Sequence, residues 1–500
     1  MTRHASHAAP ALGALLAIAS LAAGCGSDDG NYDSRYYARC AAPRTGTDPQ
    51  TGKRYLDVQG SLADEKAWLH GWIDDLYLWY SEVPAVDAAK YTTAVDYFGA
   101  LKTPATTASN KPKDQFHFTY ATTDWVALSS SGIEAGYGIT WALLARTKPR
   151  RLVVAFVQPG SPAAAQNVAR GAEVLTIDGA DLINGDDTAT LNNGIAPSAV
   201  DQSHTFVIRD VGATDPRTVT LVAKATMSTP VPSAGALPAP NDKVGYLVFN
   251  DHIAPAEKGL VDAITKLRDA QITDLVLDLR YNGGGYLVIA AELAYMIAGP
   301  TATKDKFFEK EVFNDHYPTI DPFSGRQQSP APFQPVAVGL STTAGTALPT
   351  LGLSRVFVLT GSGTCSASEA VMNGLAGAGV QVIQIGSTTC GKPYGFVPAD
   401  NCGTTYFAIQ FQGVNNAGFG DFADGFVPGG ALKGCAVADD FTHPLGDPAE
   451  ARLAAALGYL KTGACPAPAL RADADPLSHA EGVLLRSPVH EIAVRLPARP

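Results

Sequence analysis

Residues Val356 to Lys392 set the tightest limit on how this chain can fold. The apolar run Val356 to Leu359 reads as a buried strand, and Thr360 to Thr364 is a turn of small polar residues. Ser366-Ala367-Ser368-Glu369 then opens a stretch with helical spacing, Ala370 to Ala378. A second apolar run, Val380 to Ile385, reads as the next strand and ends in a Gly-containing turn that carries Lys392. Such a βαβ unit belongs in a layered α/β fold and brings Ser366 and Lys392 to one edge of a sheet. A serine at a strand–turn–helix junction lies beside free backbone N–H groups that can hold an oxyanion. A lysine next to it can serve as the base that a hydroxyl nucleophile needs.

The chain has 500 residues, enough for two to four domains, and 46% of them are hydrophobic, enough for real cores. The net charge of −11 gives a nucleic-acid role no electrostatic support. The N-terminus reads as a targeting segment: Arg3 is followed by an Ala/Leu-rich stretch, Ala8 to Ala23, too short for a good spanning helix. It ends Leu21-Ala22-Ala23-Gly24-Cys25, which resembles a bacterial lipobox and implies cleavage before Cys25 and lipidation of its thiol. Gly26 to Gly30 then reads as a polar tether. Six further cysteines, Cys40, Cys365, Cys390, Cys402, Cys435 and Cys465, suit disulfides in an exported chain, in fifteen possible pairings. Cys390 and Cys402 are close enough in sequence to clip one hairpin around Lys392. Zinc-type Cys/His spacings are absent, and no metal or cofactor is expected.

Along the chain, residues 1–24 are the leader and 25–59 the tether. Residues 60–125 read as a helical cap, with Trp68, Trp72, Leu76 and Trp79 at three- and four-residue steps forming a core stripe. Short strands and Gly turns follow in 126–226; their order resembles a PDZ domain, with Gly136-Tyr137-Gly138-Ile139 at its carboxylate-binding loop. Backbone N–H groups in such a turn can capture a C-terminal carboxylate, and an exposed edge strand can add a peptide as an extra strand. Residues 227–242 are Pro/Ala/Ser-rich and read as a linker. Alternating strands and helices over 243–465 indicate an α/β domain, closed by a helix from Glu450 to Leu460. The tail, 466–500, is left unassigned.

The blocks Gly245-Tyr246-Leu247, Asp278-Leu279-Arg280-Tyr281-Asn282-Gly283-Gly284, Ser366-Ala367-Ser368-Glu369 and Gly391-Lys392, in that order after a PDZ-like module, resemble the C-terminal processing (tail-specific) serine peptidases. The resemblance covers roughly residues 60 to 460. It implies a multidomain α/β architecture: helical cap, PDZ-like β-rich module and a crotonase/ClpP-like catalytic domain. It implies Ser366 as nucleophile and Lys392 as base, with the oxyanion held by the backbone N–H of Ala367 and of Gly284 or Gly285. Arg280 and Asn282 are expected to hold this loop in shape, and His252 to be structural. Four residues past the lysine, where the family often carries Gln or Glu, stands Phe396, so the third catalytic residue stays open. Lys392 also stands one residue further from Ser366 than the family spacing.

Other chemistries fit less well. A cysteine nucleophile at Cys365 would need a histidine, and only His252 lies near a suitable strand end. No Gly-x-Ser-x-Gly elbow and no His-Glu-x-x-His is present. Gly386 to Lys392 has phosphate-loop spacing, but Pro393 stands where the magnesium-holding Ser or Thr belongs. The expectation is therefore a serine endopeptidase acting on proteins or peptides recognised by their C-termini, lipid-anchored in the cell envelope, with an outer membrane favoured and the oligomeric state open. The alternatives are a non-catalytic PDZ-type binding protein and an esterase using the same serine and lysine.

Overall fold

The computed structural model describes residues 34–48, 52–467, 477, 480–486 and 490–496. Cys25 and the leader lie outside the described residues, and among those described no helix is long and apolar enough to cross a membrane.

The central layer is a six-stranded sheet in the order Ser233–Ala236, Val244–Val248, Asp274–Asp278, Arg355–Thr360, Gln381–Gly386, Lys433–Ala436. The first pairing is antiparallel and the rest are parallel. Its four inner strands are buried on both faces, as parallel sheets require. Leu247, Leu275, Leu277, Val356 and Val358 face the helices Ala256–Asp269, Leu287–Thr303 and Ala367–Gly377. Tyr246, Val276, Phe357 and Leu359 alternate to the other face, against Leu453, Ala456 and Leu457 of the helix Ala451–Thr462. The presumed linker is thus partly structural: Ser233–Ala236 is the edge strand of this sheet.

The β-rich module stacks the strands Arg217–Val222, Ser203–Arg209, Glu173–Ile177, Arg151–Val157 and Ile139–Ala145 side by side around Trp141, Val154, Val174, Phe206 and Leu221. A ribbon of Ile133–Gly136 with Lys224–Met227 closes the module where it joins the rest of the chain. Beyond Ile139–Ala145 lies one more strand, Val483–Leu485, from the tail.

In the cap, Ser61 and Asp64 form a reciprocal capping box at the start of the helix Leu62–Leu76. The helix ends at Leu76, so Trp79 of the expected stripe falls outside it and stands edge-on to Tyr394, ring centroids 4.8 Å apart. The second helix runs Ala94–Ala100, and Phe118–Ala121 pairs with Thr404–Phe407 of the catalytic domain. Cap aromatics therefore share one core with Phe396, Phe407, Ile492 and Val494.

Two expectations need correction. Residues 34–59 are not all tether: Arg39–Cys40 pairs with Val58–Gln59, and Cys40 is bonded to Cys402. The hairpin clip between Cys390 and Cys402 does not form. The remaining pairs are Cys365–Cys390 and Cys435–Cys465, because the fold brings Cys390 back beside Cys365 while Cys402 faces the cap.

Candidate active site

Ser366 sits between the turn that follows the Arg355–Thr360 strand and the helix Ala367–Gly377. Its backbone has φ 58° and ψ −112°, in a region where a non-glycine residue is strained by about 1–3 kcal/mol. Such strain persists only where the surroundings enforce it, and here they do. Glu369 accepts the N–H of Ser366 at 2.9 Å. Thr364 Oγ1 donates to Leu279 O, and Ser368 Oγ donates to Asn282 O, which ties the turn to the neighbouring glycine loop. Ser366 itself holds the N-cap position, and Ser368 lies inside the helix. The Ser366 hydroxyl is 1% exposed and its Oγ has no hydrogen-bond partner.

Lys392 is likewise 1% exposed. Its Nζ lies 4.3 Å from the centroid of the Phe116 ring and 4.0 Å from that of Phe396. Burial between these rings drives its pKa well below the ordinary lysine value, against the opposing pull of Glu491, Asp114 and Glu369. Phe396, at the position where a Gln or Glu was expected, is thus a wall of the lysine's pocket. The Nζ donates to the carbonyl of Glu491 at 2.7 Å.

The glycine loop follows the Asp274–Asp278 strand. Arg280 is buried in ion pairs with Asp278, Asp439 and Glu450, and Asn282 spans the loop, donating to Phe249 O and accepting from Gly284 N. Both residues hold the loop, as expected. The Gly284 N–H is thereby turned to Asn282, which removes it as an oxyanion donor; what Gly284 supplies is space. An added Cβ there would stand 2.9 Å from Ala367 N and 2.1 Å from Ile492 O. Gly285 N donates to Ile492 O at 2.5 Å. The partner of the Gly285 N–H is thus a tail carbonyl rather than a group of its own loop.

His252 is fully buried, its Nδ1 3.0 Å from Asn282 Oδ1, and burial pushes it down to about 3, so the ring is neutral. Cys365 is bonded to Cys390 and has no free thiol, which ends the cysteine-nucleophile alternative. Cys365, Glu369 and Cys390 form a cluster of possible metal ligands among the described residues, but the two sulfurs are bonded to each other.

Gly136, Tyr137, Gly138 and Ile139 line a cavity of about 680 Å³ between the β-rich module and the catalytic domain, together with Glu134, Asp251 and His490. The turn is shaped by Gly138 at φ +73° and by buried Tyr137.

Sequence reasoning missed three parts of this site. Glu369 was legible as the fourth residue of a capping-box pattern. Phe116 carried no signal, because its role depends on where the cap lands. The tail residues Glu491 and Ile492 lay in a stretch without pattern.

Residues 243–398 match the model of peptidase family S41, and residues 64–120 match that of the peptidase S41 N-terminal domain, which marks the chain as a serine-type peptidase. A solved structure from Bacteroides fragilis, named for the S41 proteases, is similar to this chain with a TM-score of 0.60 at 22% identity, covering 79% of this chain and 97% of its own. The photosystem II D1 C-terminal processing protease is more distant, with a TM-score of 0.42 at 18% identity, over 76% of this chain and 94% of its own. No curated protein matches the chain.

Proposed function

We propose that this peptidase uses a Ser366–Lys392 dyad to cleave exported proteins or peptides through an acyl-enzyme. Neutral Lys392 takes the Ser366 proton as Oγ attacks the scissile carbonyl. The developing oxyanion is held by the N–H groups of Gly285 and Ala367. Lys392 then protonates the leaving amine, and water hydrolyses the acyl-enzyme by the same steps in reverse. The observation that carries this reading is the shared anchor: Glu369 accepts the backbone N–H of Ser366 and of Lys392 while two aromatic rings keep the lysine dry.

Substrate C-termini enter this reading through the Gly136–Ile139 turn of a PDZ-like module, and a lipidated Cys25 holds the enzyme at the cell envelope. The test is hydrolysis of an unfolded protein by the form starting after Cys25, beside Ser366→Ala and Lys392→Ala. Wild type should cut, and both variants should melt normally yet lose at least about 10²-fold in rate. Retained cutting by either variant rejects the dyad. Ester turnover without peptide turnover would favour the esterase alternative.

A further inference from the structure

A peptidase nucleophile must be reached by its substrate, yet Ser366 and Lys392 are each 1% exposed. The chain's own tail lies against Lys392 and beside the glycine loop next to Ser366. Val483–Leu485 adds antiparallel to the Ile139–Ala145 edge of the β-rich module, pairing Leu485 with Trp141 and Val483 with Leu143. Arg486 then donates to Tyr281 O at 2.9 Å and to Gly363 O at 2.5 Å, on either side of the catalytic turn. His490 stands between two carboxylates, 3.2 Å from Glu134 and 3.5 Å from Asp251.

The next residues lie along Lys392 and the glycine loop. Glu491 O accepts from Lys392 Nζ, and Ile492 O accepts from Gly285 N. Ala493–Val494 pairs in parallel with Gly285–Tyr286 on one side. On the other, Ala493 O accepts from Phe396 N, and Arg495 N donates to Phe396 O, each at 2.9 Å. Arg495 ends the crossing in ion pairs with Glu311 and Asp321. An extended strand hydrogen-bonded on both sides, with one carbonyl on the base and the next on an oxyanion donor, is the pose of a bound peptide.

We propose that residues 480–486 and 490–496 are an intramolecular occupant of both peptide-binding surfaces, and that they hold the enzyme's activity down until they are displaced. The inference rests on the Ser366–Lys392 reading of the site and adds its regulation. A tethered segment acts at a high effective concentration, so modest contacts hold it against free substrate. Any peptide that augments the Ile139–Ala145 edge has to remove Val483–Leu485 first, and any peptide that reaches Ser366 has to remove Ile492 and Ala493. The lysine is also diverted: its Nζ is directed at the Glu491 carbonyl, while Ser366 Oγ has no partner.

The test uses the chain starting after Cys25 with two displacing variants, Arg495→Glu, which sets like charge against Glu311 and Asp321, and Ile492→Asp, which puts a carboxylate into an apolar seat. The readouts are the rate of Ser366 labelling by a fluorophosphonate probe and the binding of a fluorescent peptide of sequence 481–496, followed by anisotropy. Both variants should label about tenfold faster or more than wild type, and the peptide should bind them, but not wild type, and slow their labelling. Equal labelling of wild type and folded variants overturns the inference. So does loss of the cooperative melt in both variants, which would make the segment part of the core. If no form labels at Ser366, the dyad reading fails. Peptide binding still decides the tail's seat in that case: equal binding to wild type and variants, or none, overturns it, and binding to the variants alone supports it.

Discussion

Glu369 joins Ser366 to Lys392 through their backbones: one carboxylate oxygen accepts the N–H of Ser366 at 2.9 Å and that of Lys392 at 2.8 Å. The other oxygen accepts Thr389 Oγ1 at 2.5 Å and Gly391 N at 2.9 Å. All four of these groups are donors. Glu369→Gln turns an NH₂ toward two of those donors whichever way the amide lies. The expected result is a kcat lower by about 10²-fold with KM changed much less, because the dyad is misplaced rather than removed. Stability should fall by about 1.5–3 kcal/mol, read as a lower denaturant midpoint.

Gly284 makes room at the centre of the site. At φ +111°, its hydrogen faces Ala367 N and the tail carbonyl of Ile492. Gly284→Ala should lower kcat/KM by about 10²–10³-fold, the range for losing one oxyanion donor. The same loss should appear in an Ile492→Asp background, since the close approach to Ala367 N remains when the tail leaves. Recovery of activity in that double variant would place the steric conflict with the tail alone.

The disulfide Cys365–Cys390 joins the residue before the nucleophile to the turn that carries the lysine, closing a loop of sequence separation 25. A cross-link of that span is worth roughly 3–4 kcal/mol in the chain-entropy model. Cys365→Ala with Cys390→Ala should lower the melting temperature and broaden kcat loss with heating, yet leave fluorophosphonate labelling at Ser366. Iodoacetamide should not inhibit wild type, since neither sulfur is a thiol.

What the sequence made legible is local and periodic. The βαβ unit around Ser366 was readable because strand, turn and helix each leave a pattern within a few residues. The parallel sheet followed from two-faced apolar runs such as Val356 to Leu359. The lysine's walls were not readable, because Phe116 reaches it from the cap across 276 residues of sequence, a distance given by the numbering of Phe116 and Lys392. The tail was not readable either. Glu491 to Val494 binds through its backbone carbonyls and N–H groups, which every residue has, so no side-chain pattern marks it.

Glu292 offers a pH test away from the chemistry. Burial beside Glu257 pushes its carboxyl up to about 8, and one oxygen accepts the Val338 N–H at 2.9 Å. A carboxyl raised in the folded state favours folding fully below the unfolded value near 4.5, and that contribution is lost as pH rises through about 8. Wild type should therefore lose stability across this window, with a slope of up to about 1.4 kcal/mol per pH unit from this group. Glu292→Gln keeps a carbonyl for Val338 and removes the titration. Its denaturant midpoint should match wild type near pH 5 and exceed it at pH 8; parallel curves would refute the assignment.

The Lys392 pocket predicts the shape of the activity profile. A lysine whose pKa is lowered by burial is neutral, and so able to accept the Ser366 proton, at pH values well below 10.5. In a tail-displaced background such as Arg495→Glu, kcat/KM should rise with pH and reach half its maximum well below 10.5. Phe116→Gln, which puts a polar group where a ring excludes water, should move that midpoint up. Stability has the matching sign. The depressed pKa costs nothing above 10.5, where the unfolded chain is also neutral, and its cost grows as pH falls toward the folded value. Lys392→Met removes that cost, so its midpoint relative to wild type should improve steadily as pH is lowered from 10.5. A midpoint for kcat/KM that does not shift in Phe116→Gln would show that the ring leaves the lysine's proton affinity unchanged.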